Sequence, residues 1–423
     1  MGHLLMVESW VGSMSRLLPE ALRDGGHEFT FLTRDLGHYL RAAPEGVRHP
    51  LLGARNVITA ETNDLDALLP VAERLHAAFG FDGVLSSCDY YLPAVAAVAA
   101  RLGLPGPGAD AVARACRKDL TRRTLEGAGV SGPRFAVVES GDEPGATEVR
   151  AARALGFPLV VKPVDLCAGM YVRRVDEEAE LVAACRALAG FPVNARGQHR
   201  PRLVLLEELL DGPEVSVETV SSGGRISVVG VTDKSIAGAP AFIETGHMFP
   251  APLAPDELTA VQDTAVEALK ALGLMEGVVA HTEIKLTSAG PRVVEVNPRP
   301  AGNRITELVR HVTGIDLAAV AVDVALGRAP DLAVRDTGLR SAAIGFLVPE
   351  ADGTLTSLDS GEQLRQETDV LEVVLAEPGR AVTTAGSNNE YLGHVMAGDP
   401  KGLGARTRVE TLMAGVRDRM VIR

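Results

Sequence analysis

Residues 293–305 read VVEVNPRPAGNRI, an apolar strand pattern that ends in a carboxylate, an amide and two arginines. Upstream lies HTEIKL (281–286), and the intervening TSAGP (287–291) carries the Gly and Pro that mark a connection between strands. The two segments read as a hairpin. If Leu286 and Arg292 close a five-residue loop, paired residue numbers sum to a constant and Glu283 falls opposite Glu295. Strand side chains alternate faces, so His281, Glu283 and Lys285 share one face, and Val293, Glu295, Asn297 and Arg299 share the facing one. Two like charges directly opposed weaken a sheet pair. Two explanations fit. One is a divalent cation such as Mg²⁺, which takes one or two carboxylates together with phosphate oxygens and water and can add the Asn297 carbonyl. The other is a solvated outer face on which opposed glutamates are tolerated.

The rest of the chain bounds what such a hairpin can serve. Its 423 residues are enough for about two to four domains' worth of core. With 46% hydrophobic and 23% charged residues the composition is that of a globular protein. A formal net charge of −13 excludes a broad nucleic-acid footprint, while leaving room for a local basic site for phosphates. The partner is therefore expected to be a small molecule. Cys88, Cys116, Cys167 and Cys185 form neither a CxxC pair nor a His-linked spacing, which argues against zinc and disulfides and for reduced cytoplasmic thiols. The apolar run in MGHLLMVESW is too short for a signal peptide, and LPAVAAVAARLGL (92–104), broken by Arg101, is too short to span a bilayer. No membrane partner is expected.

Four regions follow along the chain. HLLMVE (3–8) and EFTFLT (28–33) read as strands around a helix from about Met14 to Asp24 that stops at Gly-Gly, a βαβ opening. A strand at 82–87 and a helix across 92–102 extend it into an open α/β layer over residues 1–110. The first loop, SWVGSMS, is not GxGxxG, so no dinucleotide is assigned and Gly12 reads as a turn residue. Next come a basic helix, ACRKDLTRRTLEGAGV (115–130), and a strand at PRFAVVE. Residues 159–231 are rich in strands separated by Gly and Pro turns.

Three features of that segment suit a nucleoside triphosphate. Lys162 ends the apolar strand of LVVKPVDLCAGM and precedes a Gly-containing loop, where an ammonium neutralises phosphate while loop amides close over it. Such a strand-end lysine is equally a solvated surface group. In VLLEELLDGPEVSVE (204–218) a strand meets two glutamates and a DGP turn; backbone groups there can read an adenine edge and Glu214 can accept from ribose hydroxyls, or the glutamates are plain surface charge. Lys234 ends the strand GVTDK before a loop rich in Gly and Pro.

In this order the pieces resemble the ATP-grasp superfamily over roughly residues 110–310, and no P-loop GxxxxGK[ST] is present. The resemblance implies an α/β (α+β) ATP-grasp architecture: an N-terminal open α/β pre-grasp domain (1–110), a two-lobed ATP-grasp core (111–330, with 159–210 as the small lid lobe) and a C-terminal α+β domain (331–423). It also implies ATP and Mg²⁺, with Mn²⁺ as the alternative ion. Lys118, Lys162 and Lys234 would meet the nucleotide phosphates, and Glu207, Glu208, Leu210 and Glu214 would hold adenosine. Glu283, Glu295 and Asn297 would hold the metal, and Arg299 would face the transferring phosphate. The chain departs from the family's pattern in the loop VDLCAGMYV, which has one Gly where several are common; Cys167 there reads as a spectator thiol.

SAAIGFLVPEADGTLTSL through SNNEYLGHVMAGD (341–399) is similar to the C-terminal domain of L-amino acid ligases, which shifts the expected activity toward joining a carboxylate to an amine through an acyl phosphate. The alternatives within the superfamily are bicarbonate activation of the biotin carboxylase or carbamoyl phosphate synthase kind; outside it, a nucleotide-binding sensor. The expected partners are a small carboxylate and an amine, with a homodimer left open. Glu244 and His247 lie in AFIETGHMFPAPL (241–253), read as a loop that either binds substrate or is structural. NRITELVRHVTG reads as a helix with Asn303 as N-cap and Arg304 in its first turn, where a guanidinium either grips the activated carboxylate or forms a salt bridge.

Overall fold

The computed structural model describes residues 1–9, 12–41, 49–141, 145–237 and 240–423. The expected βαβ opening is present as β1 (His3–Val7), α1 (Met14–Asp24) and β2 (Glu28–Thr33), followed by α2 (Leu36–Arg41), β3 (Asn56–Thr59), α3 (Leu65–Phe79), β4 (Gly83–Leu85) and α4 (Leu92–Leu102). These strands form a parallel sheet in the order β3-β2-β1-β4. Trp10 and Val11 of the SWVGSMS loop lie outside the described residues, while Gly12 turns at φ +52°.

The basic segment splits into α5 (Ala109–Ala115) and α6 (Lys118–Gly127). The lid lobe then runs β5 (Phe135–Glu139), α7 (Ala146–Leu155), β6 (Leu159–Pro163), β7 (Arg173–Val175), α8 (Glu178–Ala189) and β8 (Leu203–Glu208); expected over 159–210, it begins earlier, because β5 pairs with β8. Its four strands pair antiparallel as β5-β8-β6-β7, and Val138, Leu159, Val161 and Leu206 pack on Ala152, Leu181 and Cys185 of the two helices.

The remaining strands build one large sheet: β9 (Glu214–Ser222), β10 (Arg225–Ile236), β11 (Glu244–Phe249), β12 (Val278–Thr287) and β13 (Gly290–Asn297), with α9 (Pro255–Leu272) packed on it, then α10 (Ile305–Thr313), α11 (Leu317–Ala325) and β14 (Ser341–Phe346). Beyond β15 (Gly353–Ser357) come β16 (Val370–Leu375), β17 (Ala381–Val382), β18 (Gly393–Asp399), α12 (Ala405–Arg417) and β19 (Val421–Ile422). The order β13-β12-β9-β10-β11-β14-β18-β16 crosses residue 330, so β14, β18 and β16 extend the core sheet, while β15, β17 and β19 form a small sheet of their own in the order β17-β15-β19. In the other direction, α11 packs Ala318, Val322 and Ala325 against the N-terminal layer. Gly83 permits that approach, since a Cβ there would lie 2.3 Å from the Ala325 carbonyl oxygen.

Two readings are corrected. Residues 244–249 are a strand, not a loop: ETGHMF shows no alternation of apolar and polar residues, and pairing on both edges, to β10 and β14, supplies what local sequence lacks. The hairpin connection is also tighter than five residues. Thr287 pairs with Gly290 and Lys285 with Arg292, and a bulge between Glu283 and Ile284 then restores Glu283 opposite Glu295. The bulge places Val293, fully buried opposite Ile284, on the core face, away from the carboxylates it was expected to join.

Candidate functional site

The lid sheet and the large sheet face one another across a cavity of about 470 Å³ whose wall includes Lys118, Lys162, Glu207, Glu208, Leu210, Glu214, Glu244, Glu283, Glu295, Asn297 and Arg299. The volume is of the size that encloses a small ligand. Strand register sets the polar groups of the large sheet in rows. His247, Lys234, Glu214, Lys285 and Arg292 are successive cross-strand neighbours; two residues further along come Ser216, Glu283 and Glu295, and then Glu218, His281 and Asn297. Because strand side chains repeat every two residues, all three rows face the same way.

Opposite charges meet within and between these rows. The Lys234 ammonium, 1% exposed, sits 2.7 Å from Glu283, 3.0 Å from Glu214 and 3.1 Å from Glu244. Burial by itself would lower its pKa, but the three carboxylates together hold it well above the ordinary lysine value. Burial likewise works to raise Glu244, and Lys234, with help from His247 and Asn303, holds it well below the usual carboxylate range. The ring N–H groups of His281 donate to the Glu218 carboxylate at 2.9 Å and to the Glu283 carboxylate at 3.2 Å. Burial opposes its charging, yet the Glu218 carboxylate, with Glu283, pushes it up to about 9.

On the lid side the Lys162 ammonium lies 2.6 Å from Glu207, whose other oxygen takes the Nε–H of Arg122. Glu207, expected at adenosine, is thus the counter-ion of two buried cations. Glu208 bridges Arg134 and Arg292. Lys118, at the start of α6, reaches Glu295 at 2.9 Å and the Leu166 carbonyl at 2.5 Å. Arg299 donates to Asp89 of the N-terminal layer at 2.6 Å; burial would depress its pKa, and Asp89 keeps it raised. Burial pushes the Cys167 thiol up to about 12, which suits an inert group.

Three expected roles shift. His247 is 1% exposed, donates its Nε2–H to the Glu244 carboxylate at 3.1 Å and lies behind it, outside the cavity wall. Arg304 is the N-cap of α10 in a left-handed conformation, not a first-turn residue, and Asn303 precedes it. Its guanidinium pairs with Glu307 at 2.8 Å and Glu372 at 3.5 Å, off the cavity wall, whereas the Asn303 amide donates to Glu244. Arg122, Asp89, Glu218, Asn388 and Tyr391 were not singled out from sequence. Arg122 had a signal: it lies four residues after Lys118, hence on the same helix face. The others depend on long-range contacts.

The metal fits in a limited sense. Among the described residues no three acidic, His or Cys side chains converge into a cage. Glu283 and Glu295 are directly opposed, with Asn297 on the next step of the same face, and a lysine pairs with each carboxylate. Two carboxylates and an amide suit an ion that completes its shell with water and substrate phosphate oxygens.

A two-lobed core with such a cleft defines a class. Residues 155–307 match the family model of the ATP-grasp domain and residues 20–106 that of the ATP-grasp N-terminal domain. The chain therefore carries an ATP-grasp domain together with its N-terminal domain. Residues 345–421 in turn match the family model of the L-amino acid ligase C-terminal domain 2. It is similar to the uncharacterised protein y4rH of Sinorhizobium fredii, with 28% identity covering 98% of this chain and 85% of the other. It is also similar to carnosine synthase 1 of Homo sapiens, with 28% identity covering 86% of this chain and 44% of the synthase, so it spans less than half of that relative. The crystal structure of an L-amino acid ligase from Bacillus licheniformis superposes with a TM-score of 0.80 at 23% identity, covering 100% of this chain and 98% of that one, a likeness of fold. No helix of the described residues is long and apolar enough to cross a membrane.

Proposed function

We propose that the chain is an ATP-dependent carboxylate–amine ligase that joins an amino acid or small carboxylic acid to an amino acid, releasing ADP and phosphate. The observation that carries this is one cavity lined by both kinds of charge: Lys118, Lys162 and Arg299 among its cations, and Glu214, Glu244 and Glu283, which gather around the buried Lys234, among its carboxylates. The cations suit a triphosphate, and the carboxylates suit its metal ion and a substrate ammonium or amine.

In this reading Glu208, Leu210 and Glu214 border the adenosine and Lys118 and Lys162 neutralise the phosphates, while Lys234, expected beside them, is taken up by Glu214, Glu244 and Glu283. Glu283, Glu295 and Asn297 would hold Mg²⁺ or Mn²⁺, which when bound neutralises phosphoryl oxygens and favours their transfer. A substrate carboxylate oxygen attacks the γ-phosphorus as the bond to the β-phosphate oxygen breaks, leaving ADP and an acyl phosphate, with Arg299 beside the charge that spreads over the transferring oxygens. The unprotonated amine then adds to the acyl carbon; the C–O bond to phosphate breaks, phosphate leaves and the amine proton is lost. Glu244, oriented by His247 and Asn303, faces the amine. The protein chiefly positions the partners and keeps water from the acyl phosphate.

The test is a panel of amino-acid pairs with ATP and Mg²⁺, following ADP release and product mass. Release that requires both partners and yields their condensed mass is expected. No release across a broad panel, with ATP still bound, would overturn the reading in favour of a nucleotide-binding sensor.

A further inference from the structure

The loop after Lys162 has one Gly, and two of its other residues, Ala168 at φ +55° and Tyr171 at φ +59°, hold the left-handed conformation that a Cβ disfavours. A loop strained in this way keeps its shape only if its surroundings impose it. The contacts that impose it come from far along the chain. The backbone N–H of Asn388 donates to the Ala168 carbonyl at 3.0 Å, and Arg173 donates to the Gly386 carbonyl at 3.2 Å. This C-terminal segment is itself braced: the Glu390 carboxylate accepts from the backbone N–H groups of Gly386 and, at 3.0 Å, Ser387.

The same segment grips the other end of the cavity. The side-chain oxygen of Asn388 accepts from the Glu244 backbone N–H at 3.0 Å, and the Tyr391 hydroxyl donates to the Glu244 carbonyl at 2.8 Å. Tyr391 is in turn stacked on Phe346 of β14, with ring centroids 4.4 Å apart. Asn388 therefore touches the loop beside Lys162 with its backbone and the residue on the amine side with its side chain.

We propose that Asn388 is a positioning residue that couples the two halves of the reaction, so that the wall of the amine pocket at Glu244 and the loop over the transferring phosphate take up their working positions together. This rests on the ligase reading above. The consequence is commitment. With the link intact the acyl phosphate forms in a site whose amine pocket is already shaped, and amide formation outruns hydrolysis. With the link cut, water reaches the acyl carbon; its oxygen bonds there, the C–O bond to phosphate breaks, phosphate leaves, and the carboxylate is regenerated with loss of a proton to solvent. ADP then appears without amide.

Asn388→Ala removes the side-chain acceptor and keeps the backbone N–H, and Asn388→Asp keeps an oxygen acceptor in place. Two measurements decide the matter. In turnover, wild type should give one amide per ADP, and Asn388→Ala should give several-fold more ADP than amide and raise KM for the amine several-fold with KM for ATP little changed; Asn388→Asp should restore the wild-type ratio in large part. Independently of turnover, hydrogen exchange of residues 166–171 with a non-hydrolysable ATP analogue bound should be faster by about tenfold in Asn388→Ala, because losing a tertiary anchor raises the population of the open loop. Unchanged exchange in this loop overturns the coupling whatever the reaction is. A product ratio that stays at one in Asn388→Ala overturns it as well. Inactive wild type with the exchange difference present overturns the ligase reading and leaves the physical link standing.

Discussion

Replacing Arg122 with methionine should cost more stability than any substitution in the nucleotide-facing lysines' own shell suggests, because this side chain holds both a charge and a bend in the backbone. Arg122 is 3% exposed. Its Nε–H pairs with Glu207, one terminal nitrogen donates to the Val293 carbonyl at 3.0 Å and the other to the Val294 carbonyl. Those carbonyls belong to the bulge that carries Glu295 onto the cavity face. Breaking a buried ion pair costs roughly 3–5 kcal/mol, and a hydrogen bond to a charged donor is worth about 1.5–3 kcal/mol. The two share one desolvation and Lys162 still faces Glu207, so the expected loss is about 3–5 kcal/mol in all rather than the sum. That is a large part of the roughly 5–15 kcal/mol that keeps a domain folded. It is read as the shift in urea midpoint at constant slope, with Arg122→Lys between the variant and wild type because it keeps charge and loses the planar fork. The pH dependence gives a second check. Burial works to raise Glu207, and Arg122 with Lys162 holds it below its ordinary 4.5. A depressed carboxylate contributes stability that is present above the unfolded value and lost as pH falls through the folded one. The gap between wild type and Arg122→Met should therefore be full at neutral pH and narrow below 4.5. A destabilisation under about 1 kcal/mol, or a gap that widens in acid, would refute the assignment of Arg122 as the brace of Glu207 and the bulge.

Three further outcomes follow from the same geometry. Glu295→Gln should abolish ADP formation while circular dichroism and nucleotide binding persist, since only one of two opposed metal-facing carboxylates is lost; normal turnover would remove Glu295 from the metal site. Lys234→Met should leave Glu214, Glu244 and Glu283 buried without their shared cation, so their folded pKa values rise above the unfolded ones. The variant should then be relatively more stable at about pH 5 than at about pH 7.5, the reverse of a depressed carboxylate, and urea midpoints at the two values check the sign. Arg304→Lys should change KM for both ATP and the carboxylate substrate by less than about threefold, because its guanidinium is engaged by Glu307 and Glu372 away from the cavity; a large loss of carboxylate affinity alone would return Arg304 to the substrate.

Local pattern was enough for several parts of this protein. The βαβ opening, the helix at 92–102, the lid strands and the pairing of Glu283 with Glu295 are all legible because period-2 and period-3.6 apolar repeats, Gly stops and strand alternation act over neighbouring residues. The family resemblance rests on the same kind of short-range text: Lys118, Lys162, the DGP turn and EVNPR. Tertiary structure alone decided which partner each charge found. The five-residue hairpin loop gave the right carboxylate pair by a route the chain does not take, because a bulge is set by Arg122 from a helix some 170 residues away. Residues 244–249 became a strand only between two long-range neighbours, and that pairing turned His247 inward behind Glu244. Arg304 faced the carboxylates of 307 and 372 instead of the cavity, since a left-handed N-cap aims the side chain differently from a first-turn residue. The contacts of Asn388 with residues 168 and 244 have no local trace at all. Backbone preference is a property of neighbours in sequence; charge compensation in a dry cleft is a property of neighbours in space, and only folding brings those together.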